Sequence, residues 1–164
     1  MSVKQTHGFT LIELLLVITL IGALSTGLLV VVDPLEQVRK GRDTTTRGIA
    51  TEFYNANQRY YANYLKYGWA DQAPSGRSLT SAGIGSAIMA LQDAGELKSN
   101  FLTSAGTSNL AIIYVTSSGD DDVNVCFVPQ SKGFKVDQNT KYNGFGILKG
   151  GCPSLTATCY YCLK

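Results

Sequence analysis

Four cysteines in the last quarter of the chain, Cys126, Cys152, Cys159 and Cys162, are the side chains best suited to covalent or metal chemistry. The last two have the CxxC spacing of zinc knuckles and thiol oxidoreductases. A four-cysteine zinc site ordinarily has two such pairs, and a redox pair ordinarily begins a helix, whereas CYYCL is typical of a strand. We therefore predict structural disulfides, formed outside the cytoplasm. If all four cysteines pair, Cys126 must join one of the other three, so every pairing ties the C-terminal tail to the segment around Cys126.

Other site chemistry finds little support in the sequence. The one histidine is His7, so no histidine-based triad or histidine-ligated metal site can form in the rest of the chain, and there is no glycine-rich phosphate loop or dinucleotide fingerprint. Asp120, Asp121, Asp122 and Asn124 offer oxygen ligands for calcium, but an EF-hand needs glycine where Val125 stands, and we predict a solvated turn. The net charge of +2 is too small to indicate a nucleic-acid binder. We predict no catalytic residue, metal or cofactor, and hence no enzyme.

Glu13 lies in a run of 24 residues, Phe9 to Val32, of which sixteen are Phe, Leu, Ile or Val. Those sixteen contribute roughly −7 kcal/mol to membrane insertion, against a cost of about +3 kcal/mol for a central carboxylate and less near the edge. As a helix the run measures about 36 Å, which is enough to cross a hydrocarbon core of about 30 Å. Signal peptides have a shorter apolar core and a small-residue cleavage site after it. The sequence therefore predicts a transmembrane helix over residues 9–32.

A second helical segment is predicted over residues 33–68. Asp33 and Pro34 favour a helix start, and Gly68 favours an end. Between them, apolar positions recur mostly every three or four residues. The predicted apolar stripe is Leu35, Val38, Thr45, Ile49, Phe53, Ala56, Tyr60, Tyr64 and Tyr67. The predicted polar face is Arg39, Arg42, Asp43, Arg47, Glu52 and Arg59. Together, the two segments predict one long helix from about Phe9 to Tyr67.

The sequence predicts a globular head over residues 69–164. A short helix is expected from Ser81 to Ala94. The β-rich runs Ala111–Thr116 and Val123–Val128 predict a hairpin, and KGFKVD, GFGILK and the final TCYYCLK predict further short strands. The predicted fold class is α+β, with a long N-terminal helix packed on a small antiparallel sheet whose cysteine-rich tail is held by disulfides.

The segment HGFTLIELLLVITLIG, after a short polar leader with Lys4, resembles the class III signal of type IV pilins and pseudopilins. In that family a membrane peptidase cuts after the glycine and methylates the new N-terminal residue. The resemblance implies a leader of residues 1–8, cleavage between Gly8 and Phe9, and methylation of Phe9. It also places Glu13 at the fifth mature position, where the family's glutamate meets the N-terminal amine of a neighbouring subunit during assembly. A long helical spine is part of the pilin fold as well.

This resemblance implies a structural subunit of a type IV pilus or pilus-like filament, inserted in the membrane as a precursor and polymerised through its N-terminal helix. The implied partners are copies of the chain itself, the prepilin peptidase and methyltransferase, an inner-membrane assembly platform with its ATPase, and membrane lipid before assembly. The implied location is the cytoplasmic (inner) membrane as a single-pass precursor, with the leader in the cytoplasm, and an extracellular or periplasm-spanning filament afterwards.

Three alternatives stay open at this point. The chain is either a pilin, a pseudopilin of a type II secretion system, or a pilin-like component of a DNA-uptake apparatus. Outside the family, the rival is a membrane-anchored extracytoplasmic binding module. Cleavage after Gly8 separates that rival from the filament subunits.

Overall fold

The computed structural model describes residues 8–31, 33–69, 73–117 and 122–164, with the side chains of residues 28–31 excepted. The chain divides into two compact units, one ending at Gln37 and the other beginning at Val38.

Helix α1, Leu11–Val31, makes up most of the first unit. It begins two residues after the predicted start at Phe9. Its side chains are exposed from Leu11 to Gly27, and apolar residues lie on all of its faces. Among the described residues, no helix combines the length and the apolar character that a membrane crossing requires.

Helix α2, Pro34–Tyr64, begins where the sequence predicts a helix start. The side chain of Asp33 caps it, because its Oδ1 accepts a hydrogen bond of 3.2 Å from the backbone N–H of Glu36. The helix ends at Tyr64, three residues before the predicted end at Tyr67. The next residue, Leu65, has a left-handed backbone conformation with φ of 54°. The prediction of a long N-terminal helical region is confirmed, with Val32 between α1 and α2 outside the described residues.

The buried face of α2 differs in part from the predicted apolar stripe. Phe53 and Ala56 are fully buried as expected, but Leu35, Val38 and Tyr64 are exposed. The face that packs inward consists of Asp43, Thr46, Ala50, Phe53, Ala56 and Asn57. The first two residues of this buried face are polar. The spacing of apolar residues therefore predicts the wrong buried face over the first turns of α2.

The rest of the second unit is a four-stranded antiparallel sheet with short helices around it. The strands lie side by side in chain order: β1 (Arg77–Ser78), β2 (Ile113–Thr116), β3 (Asn124–Phe127) and β4 (Tyr161–Leu163). The hairpin of β2 and β3 and the C-terminal strand confirm the prediction. The helices between the strands are α3 (Ala82–Asp93), α4 (Phe101–Ala105), α5 (Thr107–Ala111) and α6 (Lys132–Lys135).

The core of this unit lies between α2, α3 and the sheet. Phe53 of α2 stacks on Phe101 of α4 with ring centroids 6.3 Å apart, and Ile84 of α3 and Val125 of β3 are fully buried in the same cluster. On the outer side of α2, Arg59 holds Glu96 through an Nε–Oε2 contact of 2.7 Å. The α+β fold, with its helix packed on a small antiparallel sheet, is therefore as predicted.

Two predicted strands are wrong. The segment KGFKVD contains α6 instead, because Ser131 caps it by accepting a hydrogen bond from the N–H of Phe134. The segment GFGILK forms a turn that a bridge between Leu148 and Tyr142 closes on itself, since the Oδ1 of Asn143 accepts hydrogen bonds from the N–H groups of Phe145 and Ile147. Gly146 within this turn has φ of 72°, a conformation that breaks a strand and favours glycine.

Candidate processing and assembly site

The bond between Gly8 and Phe9 lies in irregular, exposed backbone just before α1. A side chain added to Gly8 would meet no atom within 4 Å, and the ring of Phe9 is 81% exposed. Nothing in the described part of the chain covers this bond. A protease can therefore reach the peptide bond without unfolding α1.

Glu13 closes the start of α1 through three reciprocal hydrogen bonds with Thr10. Its Oε2 accepts from the backbone N–H of Thr10 at 3.0 Å and from the Thr10 hydroxyl at 2.7 Å. In return, the Thr10 Oγ1 accepts from the backbone N–H of Glu13 at 3.3 Å. This is a capping box, which satisfies donors that the first turn of a helix leaves without partners. The sequence signal for it is Thr-x-x-Glu at residues 10–13, which the predictions above do not include.

The surroundings of Glu13 on α1 are apolar. Its neighbours on the helix are leucines, isoleucines and valines, and the next polar side chains along α1 are Thr19, Ser25 and Thr26, each donating to a backbone carbonyl of α1. No cation of the described residues forms a salt bridge with the Glu13 carboxylate. Of the residues that the structure describes, Thr10 is thus the one that donates hydrogen bonds to this carboxylate.

The cysteines form two disulfides, as predicted. Cys126 joins Cys162 directly across the β3–β4 pair, with Cα atoms 4.1 Å apart, and Cys152 joins Cys159 over a sequence separation of 7. The two cysteines of the CxxC motif therefore have different partners, and no sulfur remains for zinc or for a dithiol redox pair. The first bridge ties the C-terminal tail to the hairpin.

A buried carboxylate that the sequence analysis missed holds the loop after β3. Asp43 is 3% exposed, although it was predicted on the polar face of α2. Its Oδ1 accepts from the N–H of Gln130 at 2.9 Å, and its Oδ2 accepts from the N–H and hydroxyl of Ser131 at 2.7 and 2.6 Å. These donors replace water around the charge, which allows burial. No local sequence pattern indicates these donors, because they lie 87 and 88 residues beyond Asp43 in the chain.

The acidic stretch between β2 and β3 falls partly outside the described residues, which exclude Asp120 and Asp121. Asp122 and Asn124 are described. The Asn124 amide lies 3.4 Å from an oxygen of Asp122, and the Asp122 carbonyl accepts from the Ser117 hydroxyl at 2.7 Å.

A family model for the prokaryotic N-terminal methylation motif matches residues 3–29. The match includes Gly8, Phe9, Thr10 and Glu13, and it ends before α2 begins. Comparisons with curated proteins and with solved structures gave no match. The chain thus carries the prokaryotic N-terminal methylation motif, which is the signature of type IV pilins and pseudopilins.

Proposed function

We propose that the protein is a structural subunit of a type IV pilus or pilus-like filament, inserted in the membrane as a precursor, cleaved after Gly8 and polymerised through α1. The observation that carries this proposal is the methylation motif at residues 3–29, which lies on a helix whose apolar side chains are exposed. The motif implies processing by a prepilin peptidase and assembly into a pilus-type filament.

The apolar surface of α1 suits two environments, lipid before assembly and neighbouring subunits afterwards. A helix that is apolar on every face needs either lipid or other protein around it. Before assembly, the run from Phe9 to Val32 lies in the membrane, and after assembly it packs against the same run of neighbouring subunits. The two disulfides support a head outside the cytoplasm, because disulfides form and persist in oxidising compartments.

Cleavage after Gly8 leaves the start of α1 intact. The capping box of Thr10 and Glu13 begins two residues beyond the cut, so removal of residues 1–8 breaks none of its hydrogen bonds. The cut does create a new cation, the α-amine of Phe9, at the end of a run that contains no lysine or arginine. Processing thus supplies the positive charge that the apolar run lacks.

Glu13 is the partner proposed for that amine on a neighbouring subunit. A carboxylate in apolar surroundings is costly unless it has donors or a cation beside it. Lipid is as apolar as a bundle of α1 helices, so apolar packing alone gives little reason to leave the membrane. The pair of Glu13 and the Phe9 amine supplies register and specificity, even where its net energy is small after desolvation.

Electron microscopy of cells with and without this protein tests the proposal. We expect surface filaments to disappear on deletion and to return when the wild-type chain is supplied. Returning a chain with Gly8→Val, which places a branched side chain at the cleavage site, should not restore them. Filaments of unchanged number and length in the deletion strain would contradict the proposal.

A further inference from the structure

The first half of α2 carries four exposed cations, Arg39, Lys40, Arg42 and Arg47. The acid among them, Asp43, is buried and occupied by the loop after β3. None of the four cations forms a salt bridge with a described carboxylate, and Arg47 instead lies 5.5 Å from the ring centre of Tyr161. Among the described residues, no carboxylate pairs with the positive charge on this side of α2.

Arg39 opens onto a groove of about 430 Å³ that we call the basic groove. Lys135 of α6 also lines it, together with Thr156, Thr158 and Leu155 from the exposed loop between Cys152 and Cys159. No carboxylate from the described part of the chain lines the groove. Two cations and two hydroxyl groups around a cleft of this size suit a phosphate group.

Long-range bonds hold the sides of the basic groove in place. Asp43 binds the backbone at Gln130 and Ser131, and Ser131 in turn caps α6, which carries Lys135. The disulfide of Cys152 and Cys159 closes the loop that supplies the hydroxyl groups. The groove is therefore formed before any ligand arrives, which lowers the entropic cost of binding.

We propose that the basic groove binds the phosphate of an anionic phospholipid headgroup while the subunit waits in the membrane. The inference rests on the proposed function, since it requires residues 9–32 to be inserted. Arg39 follows Val32 by seven residues in the sequence, and seven residues span at most about 25 Å even when fully extended. Insertion of residues 9–32 therefore keeps Arg39 within about that distance of the membrane surface. Segments beside the outer face of a membrane normally contain fewer lysines and arginines than segments on the cytoplasmic side. A cluster of these cations on the outer side therefore indicates an anionic partner.

Exposed apolar side chains favour lipid over other phosphates. Leu155 lines the groove and is 55% exposed, and Val136, next to Lys135, is 53% exposed. Cations flanked by exposed apolar side chains match the boundary between headgroups and acyl chains. A nucleic acid offers phosphates too, but its backbone gives these side chains no apolar surface. On assembly the subunit leaves the lipid, so headgroup binding retains unassembled subunits at the membrane.

Nuclear magnetic resonance of the chain extracted from the membrane in non-ionic detergent micelles tests this inference. Dioctanoyl phosphatidylglycerol, dioctanoyl phosphatidylcholine, inorganic phosphate and a short DNA duplex are titrated separately. We expect saturable shifts of the Lys135, Thr156 and Thr158 amides with phosphatidylglycerol, and binding of the other three probes that is at least several-fold weaker. Arg39→Gln with Lys135→Gln should weaken phosphatidylglycerol binding roughly thirtyfold, as for loss of two cations beside a phosphate.

The matched control is Lys66→Gln with Lys98→Gln, which removes two exposed cations outside the groove and should leave binding unchanged. Equal shifts with phosphatidylcholine, or no saturable shift, would overturn the site. Tighter binding of inorganic phosphate or of DNA would overturn the assignment to lipid. The N-terminal mass of the same sample tests the proposed function separately, because a retained leader contradicts the filament subunit whatever the groove binds.

Discussion

Asp43 and Ser131 are joined by two hydrogen bonds, although 88 residues separate them. The Oδ2 atom of Asp43 accepts from the backbone N–H of Ser131 at 2.7 Å and from its hydroxyl at 2.6 Å. Ser131 is itself fully buried and caps α6. One carboxylate thus fastens α2 to the segment after β3, from which Lys135 reaches the same groove as Arg39.

Replacing this carboxylate should destabilise the head strongly. Asp43→Ala leaves the N–H groups of Gln130 and Ser131 and the Ser131 hydroxyl without their acceptor in a buried place, and we expect a loss of about 3 kcal/mol in the free energy of unfolding. Urea denaturation followed by circular dichroism measures it. The control Glu52→Ala changes an exposed carboxylate on the same helix and should cost no more than about 0.5 kcal/mol. Equal stability of the two variants would show that the buried bonds contribute nothing.

The two disulfides should differ in their effect on stability. The Cys126–Cys162 disulfide closes a loop between residues separated by 36 positions, and the Cys152–Cys159 disulfide closes a loop between residues separated by 7. The chain-entropy estimate is about 4 kcal/mol for the longer loop and about 2 kcal/mol for the shorter one. Paired Cys→Ala variants of each bridge, compared by urea denaturation, should therefore rank in that order. The reverse ranking would mean that the loss of packing around the sulfurs outweighs chain entropy.

Removing the Glu13 carboxylate should stop assembly without stopping insertion. We expect Glu13→Val to be inserted and cleaved normally but to build few or no filaments, since the Phe9 amine then has no partner. Cell fractionation, N-terminal mass and electron microscopy give the three readouts. Co-expressed wild type should carry some mutant subunits into fibres.

Ser25→Val is the matched control for this change. It also replaces a polar side chain of α1 by valine, but the Ser25 hydroxyl merely donates to the carbonyl of Ile21. Filaments should form normally in this variant. Normal filament yield from Glu13→Val would refute the pairing of Glu13 with the amine.

Local signals in the sequence were enough for much of the fold. Asp33 and Pro34 marked the start of α2, and α3 and the β2–β3 hairpin lie where periodicity put them. The bridge between the hairpin and the C-terminal tail followed from counting cysteines, although the choice of partner did not. These features depend on neighbouring residues or on residue counts, which a single sequence displays.

The errors have the opposite origin. Asp43 was predicted to be a surface residue because acids on a helix are usually solvated. Its hydrogen-bond donors instead come from a loop that is distant in the sequence. KGFKVD has aromatic and β-branched residues typical of a strand, but the Ser131 cap, itself fixed by Asp43, starts a helix there. The basic groove also combines Arg39 with residues from far along the chain. Long-range contacts of this kind leave no periodicity to detect.

The N-terminus of the mature protein tests the central claim most directly. Intact mass and N-terminal sequencing of membrane-extracted protein should show a chain that begins at Phe9, methylated on its amine, without residues 1–8. A Gly8→Val variant should keep those residues, whereas the control Gly22→Val, which changes a glycine within α1, should be cut normally. A wild-type mature protein that still carries Lys4 would contradict cleavage, and with it the filament subunit proposed for this chain.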